Sequence, residues 1–370
     1  MKIAILTLGI YPFRTGGVEI HSYNHARLLA KSGHDVRVFT KRYSNIGRKS
    51  EAGGVPVEAL GLPGPFLGPL SFVTSALLHL LRINKRVDVI HVHYGSYFAV
   101  PAYLMRLVAR KRFVVSCHGY DVLYLQKSRI WRFVQRAVFS RASFMTAASS
   151  EIRDVLIDRY GVDKDKVVVV QNGVDEEDIE GARRAAVAKG RRTVIFLGNL
   201  RAVKDPMTAI KAFEIALVGR PDLLLTVVGD GPVRGEVERY VDARHLQGSV
   251  EMKGLLGHQD ALTELSSADV FLMSSLSEGG NPLAMMEAMA LGKPIVATAV
   301  GGIKDIVVQG ENGFMVEPGS PGKLAAALTK VLDDKTLASS LAAKARDASR
   351  GFTWERTVKT YERIYDNLGS

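Results

Sequence analysis

Short, unbroken apolar runs set the plan of this chain, and they come in two series. KIAILTL (residues 2–8), DVRVFT (35–40), VDVIHVH (87–93), RFVVSCH (112–118) and SFMTAAS (143–149) make the first. TVIFLGNL (193–200), LLLTVVGDGP (223–232), VEMKG (250–254), DVFLMSS (269–275), PIVATAVGG (294–302) and GFMVEPG (313–319) make the second. A strand apolar on both faces has to be covered on both faces. Helical patterns lie between the runs, as in GGVEIHSYNHARLLAKSG (16–33), where Val18, Ile20, Tyr23, Leu28 and Leu29 share a side and Gly33 stops the helix. This alternation predicts parallel, doubly wound α/β sheets.

Between the series, KVVVVQNGVDEEDIEGARRAAVAKGRR (166–192) is charged and punctuated by glycine, so the domain boundary is expected here. A chain of 370 residues is too long for one ordinary core, and 47% hydrophobic residues suffice for two. The expected domains are 1–172 and 173–351. The closing segment 352–370 reads as an amphipathic helix with Phe352, Trp354, Tyr361, Ile364 and Tyr365 on its apolar side. No repeat of 20–50 residues and no low-complexity segment is present.

The single cysteine, Cys117, excludes an internal disulfide and suits a reducing compartment. No run approaches the roughly 20 apolar residues of a membrane span, and the short N-terminal run reads as a first strand rather than a signal peptide. Residues 1–172 hold 25 basic and 11 acidic side chains, a balance of +14; the remainder holds 24 and 27, a balance of −3. One basic half beside a near-neutral one points to a polyanion, an anionic membrane or an acidic substrate facing that half alone.

Candidate sites sit where runs end. Gly16-Gly17 follows the first run and is either a plain strand-to-helix turn or a loop whose amides approach an anion. In SCHGYD (116–121), His118 follows a strand, as a structural or a ligand-contacting histidine; Cys117 reads as a buried thiol rather than a nucleophile. In GNLRAVKDP (198–206), Arg201 and Lys204 precede a helix that Asp205 can cap and Pro206 can open, a fitting place for a diphosphate. In SEGGNPLAMMEAMALGKP (277–294), Asn281 is read as the helix cap, Pro282 as its first residue, and Gly292 with Pro294 as its end. Glu278 then lies in the loop before the helix and Glu287 inside it. Carboxylates accept paired hydrogen bonds from vicinal hydroxyls; a salt bridge to a neighbouring helix is the plainer role for Glu287. GDGPVRG (229–235) lacks the dinucleotide spacing, and DKD (163–165) reads as solvated surface.

Together these features resemble the family 4 retaining glycosyltransferases of GT-B fold. The likeness runs over nearly the whole chain through Gly16-Gly17 with Val18-Glu19, HGYD (118–121), NGVD (172–175), GNL…K (198–204), VGDGP (228–232), ADVFLMSS (268–275), SEGGNPLAMMEAMALGKPIVAT (277–298), VGG (300–302), ENGF (311–314) and the closing FTWERTVKTYERIY. The resemblance implies two Rossmann-like domains facing across a cleft, an N-terminal one for the acceptor and a C-terminal one for a nucleotide-sugar, with the last helix crossing back to the first domain.

It implies that Lys204, helped by an arginine, binds the donor diphosphate. Here Asn199 replaces the arginine usual after the strand's glycine, and Arg201 is the available substitute. Glu287 would hold the ribose; Glu278 and His118 would face the sugar at the reacting carbon. Asp121 would support the His118 loop, and Gly16 and Gly17 would approach the diphosphate and the acceptor. The two glutamates have eight residues between them where the family has seven, and Gly279, Gly280 and Asn281 span the extra position in the donor loop. The activity implied is retaining transfer from a UDP- or GDP-sugar to a hydroxyl of a sugar or lipid-linked acceptor, a lipid-linked or cell-envelope glycan. No cofactor or metal and no nucleic acid is expected. A GT-B epimerase and a non-catalytic GT-B binding subunit are the alternatives; a dehydrogenase lacks its fingerprint.

KSRIWRFVQRAVFSRASF (127–144) reads as a helix with Arg129, Arg132 and Arg136 on one side and Trp131, Val134 and Val138 on another. PFLGPLSFVTSALLHLLRINKR (65–86) ends an apolar segment in cations. Both suit an anionic membrane surface, so the expected location is cytoplasmic, peripheral on the inner face; the other reading packs these apolar faces into the domain.

Overall fold

A computed structural model describes residues 1–64, 67–124 and 129–369. The chain divides into two compact units, Met1–Asn172 with Trp354–Ser370, and Gly173–Thr353.

The first unit is built on β1 (Lys2–Thr7), β2 (Asp35–Lys41), β3 (Lys49–Ala52), β4 (Val55–Leu60), β5 (Val89–His93), β6 (Arg112–Cys117), β7 (Phe144–Ala147) and β8 (Val167–Val169). Edge to edge the order is β3-β4-β2-β1-β5-β6-β7-β8, parallel except for the β3–β4 pair. The order reverses direction at β1, so the carboxyl ends of β1, β5 and β6 flank the switch point where such sheets place ligands. β1, β2, β5, β6 and β7 match the five expected runs to within two residues.

Three strands fall outside those runs for physical reasons. β3 (KSEA) is a polar edge strand without an apolar signature. β4 carries Pro56, and its burial alternates, with Val55, Val57 and Ala59 inside. β8 belongs to a valine run that opens the segment read as a break.

The second unit holds β9 (Arg192–Leu197), β10 (Leu223–Val228), β11 (Val250–Gly254), β12 (Val270–Met273), β13 (Ile295–Thr298) and β14 (Gly313–Val316), ordered β11-β10-β9-β12-β13-β14 and parallel throughout. The charged stretch after Val174 contains a helix, Glu176–Ala185. Asp175 caps it by accepting from the Glu177 amide at 3.1 Å, and Glu176, Glu177 and Asp178 suit its positive N-terminal end. Only Ile179 and Ala182 of that helix are buried, which leaves little apolar pattern to read.

The closing helix, Trp354–Gly369, belongs to the first unit. Trp354, Val358, Tyr361, Ile364, Tyr365 and Leu368 are buried at helical spacing, and the helix packs against the first helix, Gly17–Lys31.

Candidate active site

In the second unit, β9 leads through Gly198 and Asn199 to a short turn, Ala202–Lys204. Asp205 adopts a left-handed conformation (φ 45°) and caps the helix Pro206–Leu217 by accepting from the Thr208 amide at 3.2 Å. β12 leads to the loop that carries Ser274 to Asn281. Ser274 Oγ donates to the Asp205 carbonyl at 2.6 Å, and the Leu276 amide donates to the Val203 carbonyl at 2.8 Å. These bonds lash the two loops together.

Lys204 and Glu278 are thereby brought into contact. Lys204 Nζ lies 2.5 Å from Glu278 Oε1, which also accepts from Ser275 Oγ at 2.6 Å. The Glu278 side chain is 9% exposed and that of Lys204 24%. A cation held by one carboxylate at the edge of solvent, beside a helix N-terminus, is available to an incoming anion. Asn199 and Arg201 are exposed on the same loop.

Glu287 is not part of that pair. It sits on the helix Leu283–Ala290 and faces His258 Nε2 at 3.7 Å, which also stands 3.6 Å from Asp178. Burial raises the Glu287 carboxyl above the ordinary range; His258 works against the rise and Asp178 with it. His258, at the start of the helix His258–Ser267, had no motif around it in the sequence.

One detail is corrected. Asn281 does not cap the Glu287 helix: Pro282, extended at ψ 125°, is the boundary residue and Leu283 the first helical one. Asn281 is buried, with its side-chain oxygen 2.4 Å from where a Cβ on Gly302 would be, so its amide packs on the neighbouring loop instead. Gly301 (φ 50°) is tighter still. A Cβ there would stand 1.6 Å from the Glu278 carbonyl oxygen. The VGG turn after β13 is what lets the Gly279-Gly280 loop approach so closely.

In the first unit, Gly16 immediately precedes the helix Gly17–Lys31, and a Cβ on it would meet a Glu19 carboxylate oxygen at 2.3 Å. Glu19 is buried and pairs with Arg14 Nε at 2.9 Å. Nothing stands within 4 Å of a Cβ on Gly17. His118 follows β6 on a tight turn at Gly119 (φ 117°). Asp121, fully buried, binds that turn: its carboxylate accepts from the amides of His118 (3.1 Å), Gly119 (2.9 Å) and Gly95 (2.6 Å). Burial raises its carboxyl, and those amides oppose the rise. Cys117 is buried, and burial holds its thiol well above the usual range.

Behind His118 lies a cluster with no counterpart among the expected residues. His21 and His25 from the first helix, His91 and His93 from β5, and Tyr361 and Tyr365 from the closing helix meet as buried rings. Burial lowers His21 to about 4 and His91 to about 3, and drives His25, His93 and His118 well below the ordinary imidazole range. The signal was in the sequence: His91 and His93 share one face of a strand, while His21/His25 and Tyr361/Tyr365 are i, i+4 pairs.

The expected apolar face of 127–144 is also corrected, although residues 127 and 128 lie outside the described set. On the helix Arg129–Arg141, Val138 is buried and Trp131 and Val134 are partly covered, because a helix on a sheet turns one face inward. The exposed apolar residues are Ile130 (77%) and Phe133 (74%). Among the described residues no helix is long and apolar enough to cross a membrane.

Two α/β units on parallel or largely parallel sheets, with a cation and carboxylates at the strand ends of one and a histidine turn in the other, define the two-domain GT-B class. Residues 15–178 match the model of Glycosyltransferase Family 4, and residues 178–348 match Glycosyl transferases group 1. The chain belongs to this family 4 group of GT-B glycosyltransferases. It is 28% identical over 380 residues to the N-acetyl-alpha-D-glucosaminyl L-malate synthase of Bacillus anthracis, covering 97% of this chain and 96% of that one. It is 25% identical to the D-inositol 3-phosphate glycosyltransferase of Corynebacterium diphtheriae, covering 99% and 94%. Its fold matches that of Anabaena HepE, solved with UDP-glucose, at a TM-score of 0.78 and 20% identity over 100% and 99% of the chains. The protein is thus an enzyme, a hexosyltransferase.

Proposed function

We propose that this enzyme moves a sugar from a nucleotide-diphosphate donor, a UDP- or GDP-sugar, to a hydroxyl with retention of the anomeric configuration. The observation that carries the reading is the Lys204–Glu278 pair, poised beside the helix that begins at Pro206. Lys204, with Arg201 and that helix end, meets the negative charge that grows on the departing diphosphate, so no metal is needed for that task. Glu287 accepts the ribose hydroxyls. Glu278 and His118 face the transferred sugar, and Asn199 and the Gly279–Asn281 loop border the donor. Gly16 and Gly17 offer amides to the diphosphate and the acceptor. The leaving phosphate takes the acceptor's proton, so this reading assigns no side chain as general base. The UDP-glucose held by the structural relative, and the glycosyl transfer named for the sequence relatives, support this class of donor.

A panel of UDP-, GDP- and ADP-sugars in thermal-shift assays tests it, followed by NMR of the product's anomeric proton. Stabilisation by one donor and a retained configuration are expected; no stabilisation by any donor, or inversion, contradicts it.

The acceptor is proposed to be lipid-linked, on an anionic membrane of the inner leaflet. Ile130 and Phe133 stand out from a helix that also exposes Arg129, Arg132 and Arg136, a pairing suited to lipid headgroups and acyl chains. The helix Leu67–Ile83 adds exposed Leu70, Leu78 and Leu81, and the helix Val100–Ala109 between them touches both. Residues 65 and 66 of that segment lie outside the described set. Co-sedimentation with phosphatidylglycerol vesicles, and not with phosphatidylcholine vesicles, is the expected result.

A further inference from the structure

Three of the buried histidines, His25, His91 and His93, form a continuous hydrogen-bonded chain that ends at His118. Ser116 Oγ lies 2.7 Å from His91 Nε2, and His91 Nδ1 lies 2.6 Å from the Tyr365 hydroxyl. That hydroxyl lies 3.0 Å from His25 Nε2. His25 Nδ1 lies 2.8 Å from His93 Nε2, and His93 Nδ1 lies 3.2 Å from His118 Nε2. Both ring nitrogens of His25, His91 and His93 are engaged in the chain. His118 is its partly exposed end.

A neutral imidazole carries one ring proton, so each ring donates on one side and accepts on the other. The proton order in such a chain therefore has one direction throughout. If the Tyr365 hydroxyl donates to His91, then His25 donates to Tyr365, His93 to His25 and His118 to His93. Every ring is then the Nε2–H form, and His118 keeps a bare Nδ1. If Tyr365 donates to His25, every ring is the Nδ1–H form, and His118 presents an N–H. Mixing the forms strands a buried proton or brings two lone pairs together.

We propose that Tyr365, His25 and His93 are positioning residues that hold His91, His25, His93 and His118 in one common tautomer, and so fix whether His118 offers the sugar a donor or an acceptor. Burial supports this by keeping all four rings neutral. His25, His91 and His93 are close enough to suggest metal ligands, with their ligand atoms within 4.8 Å of one another. The 2.8 Å between His25 and His93 is a hydrogen-bond distance, however. Two imidazoles on a tetrahedral zinc stand about 3.4 Å apart at Zn–N of about 2.05 Å. The contribution to transfer rests on the assignment of His118 to the sugar; the common tautomer does not.

The test uses 15N-histidine-labelled full-length protein without nucleotide. Two-bond imidazole correlation spectra should show His25, His91, His93 and His118 neutral and in the same tautomer. An imidazolium or mixed tautomers among the four overturns the proposal, as does a stoichiometric metal found by elemental analysis. Tyr365→Phe should change the His118 pattern from three side chains away and lower kcat about tenfold, with the donor KM within twofold. Tyr361→Phe removes an equally buried hydroxyl that serves His21 at 2.8 Å and Ser116 only at 3.3 Å, and should leave the His118 pattern intact. An unchanged His118 in Tyr365→Phe also overturns the proposal. Should that variant not fold, the wild-type spectrum decides alone. Failure of the transferase reading would show separately, as no stabilisation by any nucleotide-sugar while the common tautomer stands.

Discussion

His93 ends a central strand of the first unit, and Lys204 lies a few residues beyond the end of one in the second, yet the two sites handle charge in opposite ways. His93 is fully buried among rings that burial keeps neutral, and its partners are other imidazoles. Lys204 keeps a quarter of its side chain in solvent and its charge answered by one carboxylate at 2.5 Å. The first arrangement fixes hydrogen-bond polarity without charge and suits a neutral sugar. The second keeps a partly exposed cation ready for an anion. Seven of the nine histidines are in the first unit; the two in the second, His245 and His258, are exposed.

Acid should separate the units most. His21 titrates near 4 in the folded chain and near 6.5 unfolded. Above 6.5 it is neutral in both states and contributes nothing to pH dependence. As pH falls from 6.5 to 4, the unfolded chain takes up a proton that the folded one refuses. Stability is lost by on the order of 3 kcal/mol from His21 alone, and His91 adds to it down to about 3. Asp121, its carboxyl raised by burial, pulls the other way at the acid end. In the second unit the raised Glu287 carboxyl makes acidification mildly favourable. Calorimetry between pH 7 and 4.5 should show the first unit's transition falling steeply and the second's holding. Parallel losses would break the contrast.

The next effect is catalytic. Lys204→Ala should cut kcat/KM by about 10²–10³, the size of a lost transition-state donor, while circular dichroism melting shifts little. Glu278 keeps its Ser275 bond in that variant. Glu287→Gln should weaken UDP binding about tenfold in calorimetry. It should leave the second unit's melting unchanged or slightly higher at pH 7, because a buried carboxylate costs stability that an amide does not. The smallest effect is expected at Phe133→Asp, a several-fold loss of phosphatidylglycerol vesicle binding with kcat on a soluble acceptor unchanged.

Much of this contrast was legible before the structure. Among the described residues, the eleven apolar runs locate eleven of the fourteen strands because parallel strands buried on both faces leave no alternation to confuse the reading. The polar edge strand Lys49–Ala52 and the charged helix Glu176–Ala185 bury too little to leave a pattern. Lys204 and Glu278 were singled out separately, but their contact depends on Ser274, Gly301 and the loop geometry, which no spacing encodes. The histidine cluster leaves no local pattern because His91 and His93 sit inside a run read for its hydrophobicity, and their partners lie 25 to 274 residues away in sequence. A pair of polar residues on one face of a strand destined to be buried is the clue that was there to read.

The most direct test of the account is calorimetric titration of UDP-glucose, and of the best donor from the thermal panel, into the wild type and Lys204→Ala. Saturable binding by the wild type, weakened at least tenfold in the variant, is the predicted result. Equal binding by both proteins, or none by the wild type with any donor, would contradict it.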